Sequence, residues 1–168
     1  ALIWAEGKLH GLNASGRAPR RMTPEHFSGR DTMPMRGWDS VTVPGAVRGW
    51  FDLHAKFGVL PMQKNLAPAI AYARNGHPVA ETIAYYWNLS VPRLGKSPGF
   101  NEQFTINGKA PVKGQLWKNP NLANTLQSIA DGGPDAFYKG RIAKTIADYI
   151  QAQGGFLSAE DLAAHKGE

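Results

Sequence analysis

Helical periodicity begins at residues 43–58, VPGAVRGWFDLHAKFG. The apolar residues of this stretch share one face of an amphipathic helix: Val47, Trp50, Phe51 and Phe57. Pro44 suits the first helical turn, and Gly58 suits the position just past the helix end. Because similar patterns recur downstream, the sequence predicts that residues 44–168 are mainly helical.

Three further apolar sets predict helices in this region. They are Leu66, Ile70 and Ala73; then Val79, Ile83, Tyr86 and Trp87; then Leu122, Leu126 and Ile129. The first of these helices should kink or begin near Pro68 and stop at Asn75-Gly76. The second should end before Pro92. The third should be capped by Asn119, begin at Pro120 and close at Gly132-Gly133.

Two more helices are predicted at the end of the chain. One short strand is predicted earlier, in the connection before Lys118. Ile142, Ile146, Tyr149 and Ile150 mark a helix that ends at Gly154-Gly155. Residues 158–161, SAED, form a capping box for a last short helix. Between Arg93 and Lys118 the chain is rich in glycine, proline and lysine, and we expect a connection there with a short strand at Gln103–Ile106.

The chain before Pro44 has a different character. Residues 1–14 predict a β-hairpin whose turn is Glu6-Gly7, where glycine supplies a positive φ. A two-stranded hairpin is marginal alone, so we expect its edges to pair with strands elsewhere. Residues 15–43 lack periodicity and form a long irregular loop, a feature that is usually functional or covered by another segment. We therefore predict a single partial domain with these three regions.

Composition limits the class of protein. A hydrophobic content of 42% is typical of a packed chain rather than a disordered one. No apolar run approaches the roughly 20 residues of a membrane span, so we expect none. The chain has no cysteine, which excludes disulfides and thiolate chemistry within it. The compartment stays open between the cytoplasm and the bacterial periplasm or exterior.

The net charge of +6 raises the question of nucleic-acid binding. Only Arg17, Arg20 and Arg21 cluster, and the other basic residues are interspersed with acids. No RNA-binding signature, zinc finger or long basic helix is present. We therefore expect no nucleic-acid partner, and acidic residues of a partner segment would balance the excess charge.

The sequence shows few groups that could carry out chemistry. Its five histidines lack metal-ligand spacing, and His54 lies on an apolar helix face where a packed or hydrogen-bonded role is expected. The sequence contains no G-x-S-x-G motif, P-loop or dinucleotide fingerprint. Glu160 and Asp161 point apart on a helix and favour its N-terminus. We expect no metal, no cofactor and no catalytic residue within this chain.

Arg17 is the one candidate substrate-binding residue. It follows the predicted hairpin, and a guanidinium at the end of a strand can hold a carboxylate through two parallel hydrogen bonds. The alternative is a structural arginine that ties the loop to backbone carbonyls or to an acidic residue of another segment. The residue pattern alone leaves both roles open.

An ordered set of short motifs covers nearly the whole chain. In chain order they are LNASGRAP at 12–19, VPGAVRGW at 43–50, LHAKFGVLP at 53–61, LAPAI at 66–70, ARNGHPV at 73–79, NPNLA at 119–123, TLQSIA at 125–130, DAFYKG at 135–140, the glycine pair at 154–155 and SAEDLA at 158–163. Together they resemble the large subunit of γ-glutamyltransferases and their bacterial relatives. No single motif decides the resemblance, but their order and spacing do.

The resemblance implies an N-terminal-nucleophile hydrolase with a four-layer αββα sandwich. Family members are made as one precursor that cleaves itself before a threonine, which becomes the nucleophile of the small subunit. Ala1 carries no nucleophile, and none of the seven threonines lies in the Thr-Thr-His setting of the cleavage site. The expected partner is the small-subunit portion of the same precursor. The expected substrate is a small amide or γ-glutamyl compound, and residues 1–168 alone should be inactive.

One departure from the family pattern concerns specificity. Members that act on glutamyl groups carry an arginine four residues before the Ala-Pro pair, and it binds the substrate α-carboxylate. Here Ala14 or Ser15 holds that place, and the arginine is Arg17. The form SGRAP resembles the acylase and amidohydrolase branch, which leaves γ-glutamyl specificity open.

Two other functional classes compete with this interpretation. One is a non-catalytic helical binding module on the same scaffold, and the other is a basic nucleic-acid binder. A reading frame that continues into a strand-rich half with an internal Thr-Thr-His-like sequence would favour the enzyme. Salt-dependent binding to DNA or RNA would favour the nucleic-acid binder.

Overall fold

The computed structural model describes all residues, 1–168. The chain contains seven α-helices and four short strands. Contacts divide it into two compact units, residues 1–62 with 128–168 and residues 63–127. That residues 1–168 form a single partial domain stays a prediction.

The first unit opens with the predicted hairpin. Strands β1 (Leu2–Ala5) and β2 (Lys8–Gly11) pair antiparallel, and Trp4 lies opposite Leu9. Glu6 and Gly7 both have positive φ angles, 51° and 73°, as a tight two-residue turn requires. The hairpin prediction is therefore confirmed.

The irregular loop is ordered by polar and aromatic contacts. It includes two short 3-10 helices, Pro24–Phe27 and Trp38–Ser40. Asp39 binds both His26, at 2.8 Å, and Arg30, at 2.5 Å. Hydrogen bonds from these two side chains lower the pKa of Asp39. The loop therefore has its own fixed structure despite its lack of periodicity.

Three helices lie wholly within the first unit, and a fourth ends in it. Helix α1 spans Ala46–Phe57, α6 spans Arg141–Ala152 and α7 spans Ala159–Ala163. Helix α5 (Pro120–Tyr138) begins in the second unit and ends in the first. Pro44 precedes the N-cap Gly45 of α1 rather than lying in its first turn. Trp50 is 41% exposed, so the buried side of α1 is set by Val47 and Gly49.

The three expected helix-terminus signals in α5 and α7 are present. The Asn119 side chain accepts a hydrogen bond from the backbone of Leu122 at 2.9 Å. Gly133 has non-helical angles, φ 69° and ψ −165°, and breaks α5 where closure was expected. The capping box between Ser158 and Asp161 is complete, with both reciprocal bonds formed. In α5, Ala123 is buried in place of the expected Leu122, which is 46% exposed.

The second unit contains α3 (Glu81–Leu94) and α4 (Phe100–Phe104). It also contains α2 (Met62–Asn75) except for its first residue, Met62, which belongs to the first unit. Helix α2 runs through Pro68 instead of beginning near it. Helix α3 also passes Pro92, where we expected its end. The missing Pro92 N–H falls in the last turn, and a bond of 2.8 Å from Gly95 N to Val91 O closes the helix.

The expected strand at Gln103–Ile106 is wrong. Residues up to Phe104 belong to α4, and Ile106 only bridges Lys109 across a turn. The strand of this region is β4 (Leu116–Trp117), which pairs antiparallel with β3 (His77–Pro78). Gly76 allows this pairing, because a Cβ there would lie 2.6 Å from Leu116 Cγ. No helix of the chain is both long and apolar enough to span a membrane.

Candidate functional site

Arg17 lies on a loop that is held firmly against the start of α1. Gly16 packs so closely on Val43 that a Cβ would lie 1.5 Å from the Val43 carbonyl oxygen. The Val43 N–H then donates to the Arg17 carbonyl at 3.0 Å. The glycine of the SGRAP sequence is therefore required by this contact, and the loop presents Arg17 from a fixed backbone.

The Arg17 guanidinium binds a carboxylate in this structure. Its Nη2 donates to Glu168 Oε1 at 2.7 Å, and the two side chains are 77% and 63% exposed. Glu168 is held by reciprocal backbone hydrogen bonds with Asn13, of 2.8 and 2.9 Å. An ion pair this exposed contributes about 0–1 kcal/mol. A ligand carboxylate can therefore compete with Glu168 for Arg17.

A small cavity of about 100 Å³ adjoins Arg17. Its polar lining residues are Arg17, Arg20, Asp161 and His165. Asp161 accepts hydrogen bonds from the backbone N–H groups of Arg20 and Ser158, at 3.1 and 3.0 Å. Asp161 is thus engaged by backbone groups and Arg17 by Glu168, and the space fits a group as small as a carboxylate.

Tyr138 fixes the first turn of α1 next to this cavity. Its side chain is fully buried, and its hydroxyl donates to the Pro44 carbonyl at 2.7 Å. The same oxygen accepts from the Arg48 backbone N–H at 3.0 Å. Burial raises the pKa of Tyr138. The phenol thereby stays protonated and serves as the N-terminal cap that Gly45 cannot supply.

His165 is the second buried polar residue of the site. It is 4% exposed, and its ring centroid lies 5.5 Å from that of Tyr138. Burial and the positive charges of Arg48 and Arg17 lower the pKa of His165. The imidazole is therefore neutral, and its Nε2 has no hydrogen-bond partner.

Sequence reasoning identified Arg17 and missed Tyr138, Arg48 and His165. These three come together only when the end of α5, the start of α1 and the turn after α7 fold onto one another. The motif DAFYKG at 135–140 contains Tyr138, but it indicated only the family resemblance. For His54 the expectation is confirmed, since its Nε2 lies 2.6 Å from the Leu60 carbonyl oxygen.

The arrangement is suited to binding anions. Among the threonines, Thr105 and Thr145 donate their hydroxyls to backbone carbonyls of the preceding turn, Asn101 and Arg141. Both hydroxyls are therefore engaged with the backbone. The geometry places Arg17 beside a small cavity, and its role in substrate binding stays a prediction.

Comparisons with known proteins identify the family of the chain. The family model for γ-glutamyltranspeptidase matches residues 1–168. A glutathione hydrolase-like proenzyme of Bacillus subtilis, YwrD, is 36% identical over 93% of this chain and 30% of its own length. Oxamate amidohydrolase proenzyme of Klebsiella pneumoniae is 36% identical over 98% of this chain and 32% of its own length. The chain thus spans about a third of the length of these curated relatives.

Solved structures give the same result. Cephalosporin acylase from Bacillus halodurans matches with a TM-score of 0.92 and 39% identity, over 99% of this chain and 33% of that one. γ-Glutamyltranspeptidase from Helicobacter pylori matches with a TM-score of 0.92 and 26% identity, over 100% of this chain and 50% of that one. The fold is a mainly helical portion of the N-terminal-nucleophile hydrolase fold, with a short hairpin at its start. The chain therefore belongs to the γ-glutamyltranspeptidase family and resembles its acylase branch.

Proposed function

We propose that residues 1–168 are a large-subunit segment of an autoprocessed amidohydrolase or acyltransferase that acts on γ-glutamyl or related amide bonds. The observation that carries this proposal is the match of the entire segment to the family model. Relatives named as proenzymes support a precursor that is cleaved during maturation. The nucleophilic threonine and its α-amine would then come from the C-terminal portion of the precursor.

The hairpin supports a partner segment from the same precursor. Leu2, Trp4 and Leu9 project from one face of β1 and β2, and they are 76%, 72% and 62% exposed. Contiguous exposed apolar residues mark a surface that another segment covers. We assign that role to strands of the small-subunit portion.

Arg17 is proposed to bind a carboxylate of the acyl donor. Support comes from its place at the cavity beside α1 and from the carboxylate it already holds at 2.7 Å. The substrate would displace Glu168, at little cost because that pair is exposed. Recognition by Arg17 would replace the family arginine whose position Ala14 or Ser15 occupies here.

Steady-state kinetics of the complete, processed enzyme test this assignment. With an acyl donor that carries a carboxylate, such as a γ-glutamyl anilide, Arg17→Ala should raise KM, because a charged hydrogen bond worth roughly 1.5–3 kcal/mol is lost. Arg17→Lys should recover part of the loss, since a point charge does not reproduce the guanidinium fork. Arg141→Ala, at an exposed arginine of α6, is the matched control.

A lowered melting temperature with unchanged KM in Arg17→Ala would make Arg17 a structural residue. An anilide whose acyl group is uncharged supplies the second control. Its KM should be the same in the wild type and in Arg17→Ala if Arg17 recognises the carboxylate.

A further inference from the structure

Helix α3 is apolar on the side that packs against the rest of the second unit. The residues of this side recur every three or four positions and are half-buried: Ala84, Trp87, Val91 and Leu94. Trp87 anchors them, because its Nε1 donates to the Phe104 carbonyl at 2.8 Å and its ring centroid lies 4.8 Å from that of Trp117. Even so, no residue of α3 is fully buried.

The opposite side of α3 is apolar as well. Tyr85, Tyr86 and Leu89 lie there and are 61%, 62% and 37% exposed. The two tyrosine rings pack edge to face with their centroids 5.2 Å apart, and Leu89 follows them by one helical turn. We refer to these three residues as the outer face of α3. Because a helix that is apolar all round is normally covered on every side, this face indicates a binding partner.

The second unit carries nearly all of the excess charge of the chain. It contains seven of the 19 lysines and arginines but only two of the 13 acidic residues, Glu81 and Glu102. Five of the six net positive charges therefore belong to this unit. A folded unit of this length has a radius of gyration of about 11 Å, similar to the Debye length of about 10 Å in 0.1 M salt. Its positive charges therefore act together on a nearby surface.

Two basic residues adjoin the outer face of α3. Arg93 lies one helical turn after Leu89, and Lys96 follows the end of the helix. Both are exposed, and the salt bridge within the second unit joins Lys113 to Glu81 instead, at 2.7 Å. Long basic side chains lay their stems along an apolar surface while their charged ends stay in water. An anionic partner of the outer face would therefore meet Arg93 and Lys96.

Charge and residue type together select the partner. A second copy of the chain would bring two units of equal positive charge together, which opposes self-association through this face. Tyrosine is enriched where apolar and aqueous surroundings meet, because its ring is apolar and its hydroxyl is polar. A lipid surface with anionic headgroups offers both the apolar layer and the negative charge.

We propose that the second unit binds peripherally to an anionic lipid surface through the outer face of α3. The helix axis lies along the surface, and Tyr85, Tyr86 and Leu89 enter the boundary between headgroups and acyl chains. Arg93 and Lys96 contact lipid phosphates. This binding does not depend on the proposed amidase activity.

Co-sedimentation of the processed full-length protein with lipid vesicles tests the proposal. One set of vesicles contains phosphatidylcholine alone, and the other contains about one third phosphatidylglycerol, which supplies negative charge. We expect binding to the anionic vesicles to be about tenfold or more tighter, since each Lys or Arg near such a surface raises the affinity roughly fivefold. Added salt should weaken this binding, because it screens the charges.

Paired substitutions then assign the binding to α3. Tyr85→Ser with Tyr86→Ser should weaken binding to the anionic vesicles about tenfold, because two rings no longer enter the lipid boundary. Tyr85→Phe with Tyr86→Phe keeps the rings and should retain binding. Arg93→Gln with Lys96→Gln should weaken binding roughly fivefold for each charge removed.

The matched control is Arg141→Gln with Lys144→Gln. It removes the same charge from exposed positions of α6, in the first unit, and should leave vesicle binding close to that of the wild type. Melting temperatures of all variants identify any that fail to fold. The substituted residues of α3 and the loop after it are exposed, so the charge and phenylalanine pairs keep the proposal testable.

Three results would overturn the proposal. The first is no vesicle binding, or equal binding to the two lipid compositions. The second is binding that is unchanged in both the serine pair and the Arg93 and Lys96 pair, or weakened equally in the α6 control. The third is that the wild type ignores vesicles while the serine pair loses the rest of the precursor on size-exclusion chromatography, which would show that an acidic segment of the same precursor covers the outer face.

Discussion

At the scale of single residues, Tyr138 connects the end of α5 to the start of α1. Its hydroxyl satisfies one carbonyl, of Pro44, and one N–H, of Arg48, and both bonds are enclosed. Backbone groups at a helix start need such partners, since the helix itself provides none. The position of the Arg48 backbone follows from this contact.

Tyr138→Phe should therefore destabilise the protein without opening a large cavity. The Pro44 carbonyl and the Arg48 N–H would lose their partner, at a cost of about 1–3 kcal/mol in the free energy of unfolding. Urea denaturation measures the difference. Tyr85→Phe, which removes a hydroxyl from a side chain that is 61% exposed, is the control and should change little. Equal stability of the two variants would contradict the account.

The lowered pKa of His165 predicts a pH dependence of stability. The unfolded chain takes up a proton on this residue near pH 6.5, and the folded chain does so only at lower pH. Between these two pKa values the unfolded state holds more protons, so the free energy of unfolding falls as the pH falls. Arg48 and Arg17 strengthen the effect, and Asp52 opposes it.

His165→Gln removes this proton-binding group and should flatten the fall in stability just below pH 6.5. Denaturation at several pH values between about 5 and 8 gives the slope. His77→Gln, at an exposed histidine, should retain the slope of the wild type. A slope that is the same in His165→Gln and the wild type would show that folding does not lower the pKa of His165.

Single-residue roles were only partly predictable. Arg17 stands out because it lies in a motif, but its partner Glu168 is 151 positions away in sequence. The sequence around His165 does not predict its burial. That burial depends on Arg48 and Tyr138, which lie in α1 and α5. Long-range contacts of this kind are not encoded in spacing or periodicity.

At the scale of secondary structure, local signals predicted most elements. The Glu6-Gly7 turn, the Asn119 cap and the Ser158 capping box each act within a few residues, so their positions could be inferred directly. Helix α3 continues through Pro92, where its end was expected, and α2 contains Pro68 inside the helix rather than at its start. The alternative of a kink at Pro68 stays a prediction. The strand pair β3–β4 joins residues about 40 apart and left no periodic pattern.

Within the helices, Gly133 gives the clearest prediction for the effect of a substitution on stability. Its φ of 69° and ψ of −165° lie in a region that only glycine adopts readily. Gly133→Ala should cost about 1–3 kcal/mol of stability through backbone strain. Gly11→Ala is the control, because Gly11 has no positive φ and an added Cβ would meet only one atom, at 3.9 Å. Thermal unfolding of both variants should show the loss only at Gly133.

At the scale of the whole molecule, exposed apolar residues of the hairpin and an excess of positive charge are the main surface features. The hairpin exposes Leu2, Trp4 and Leu9, while the chain carries a net charge of +6. The family fold was predictable from the order of ten short motifs, because their spacing extends over the whole chain. The cavity lined by Arg48, Asp52 and His165 was not predictable, since its lining residues come from four separate parts of the sequence.

The central claim is that this chain belongs to a precursor whose nucleophile is a threonine outside residues 1–168. Mass spectrometry of the full-length protein after maturation, with and without an electrophilic substrate analogue, tests it directly. We expect two polypeptides, the second beginning with threonine, and the analogue attached to that threonine alone. A single uncleaved chain that turns over the substrate, or an analogue attached within residues 1–168, would contradict the account.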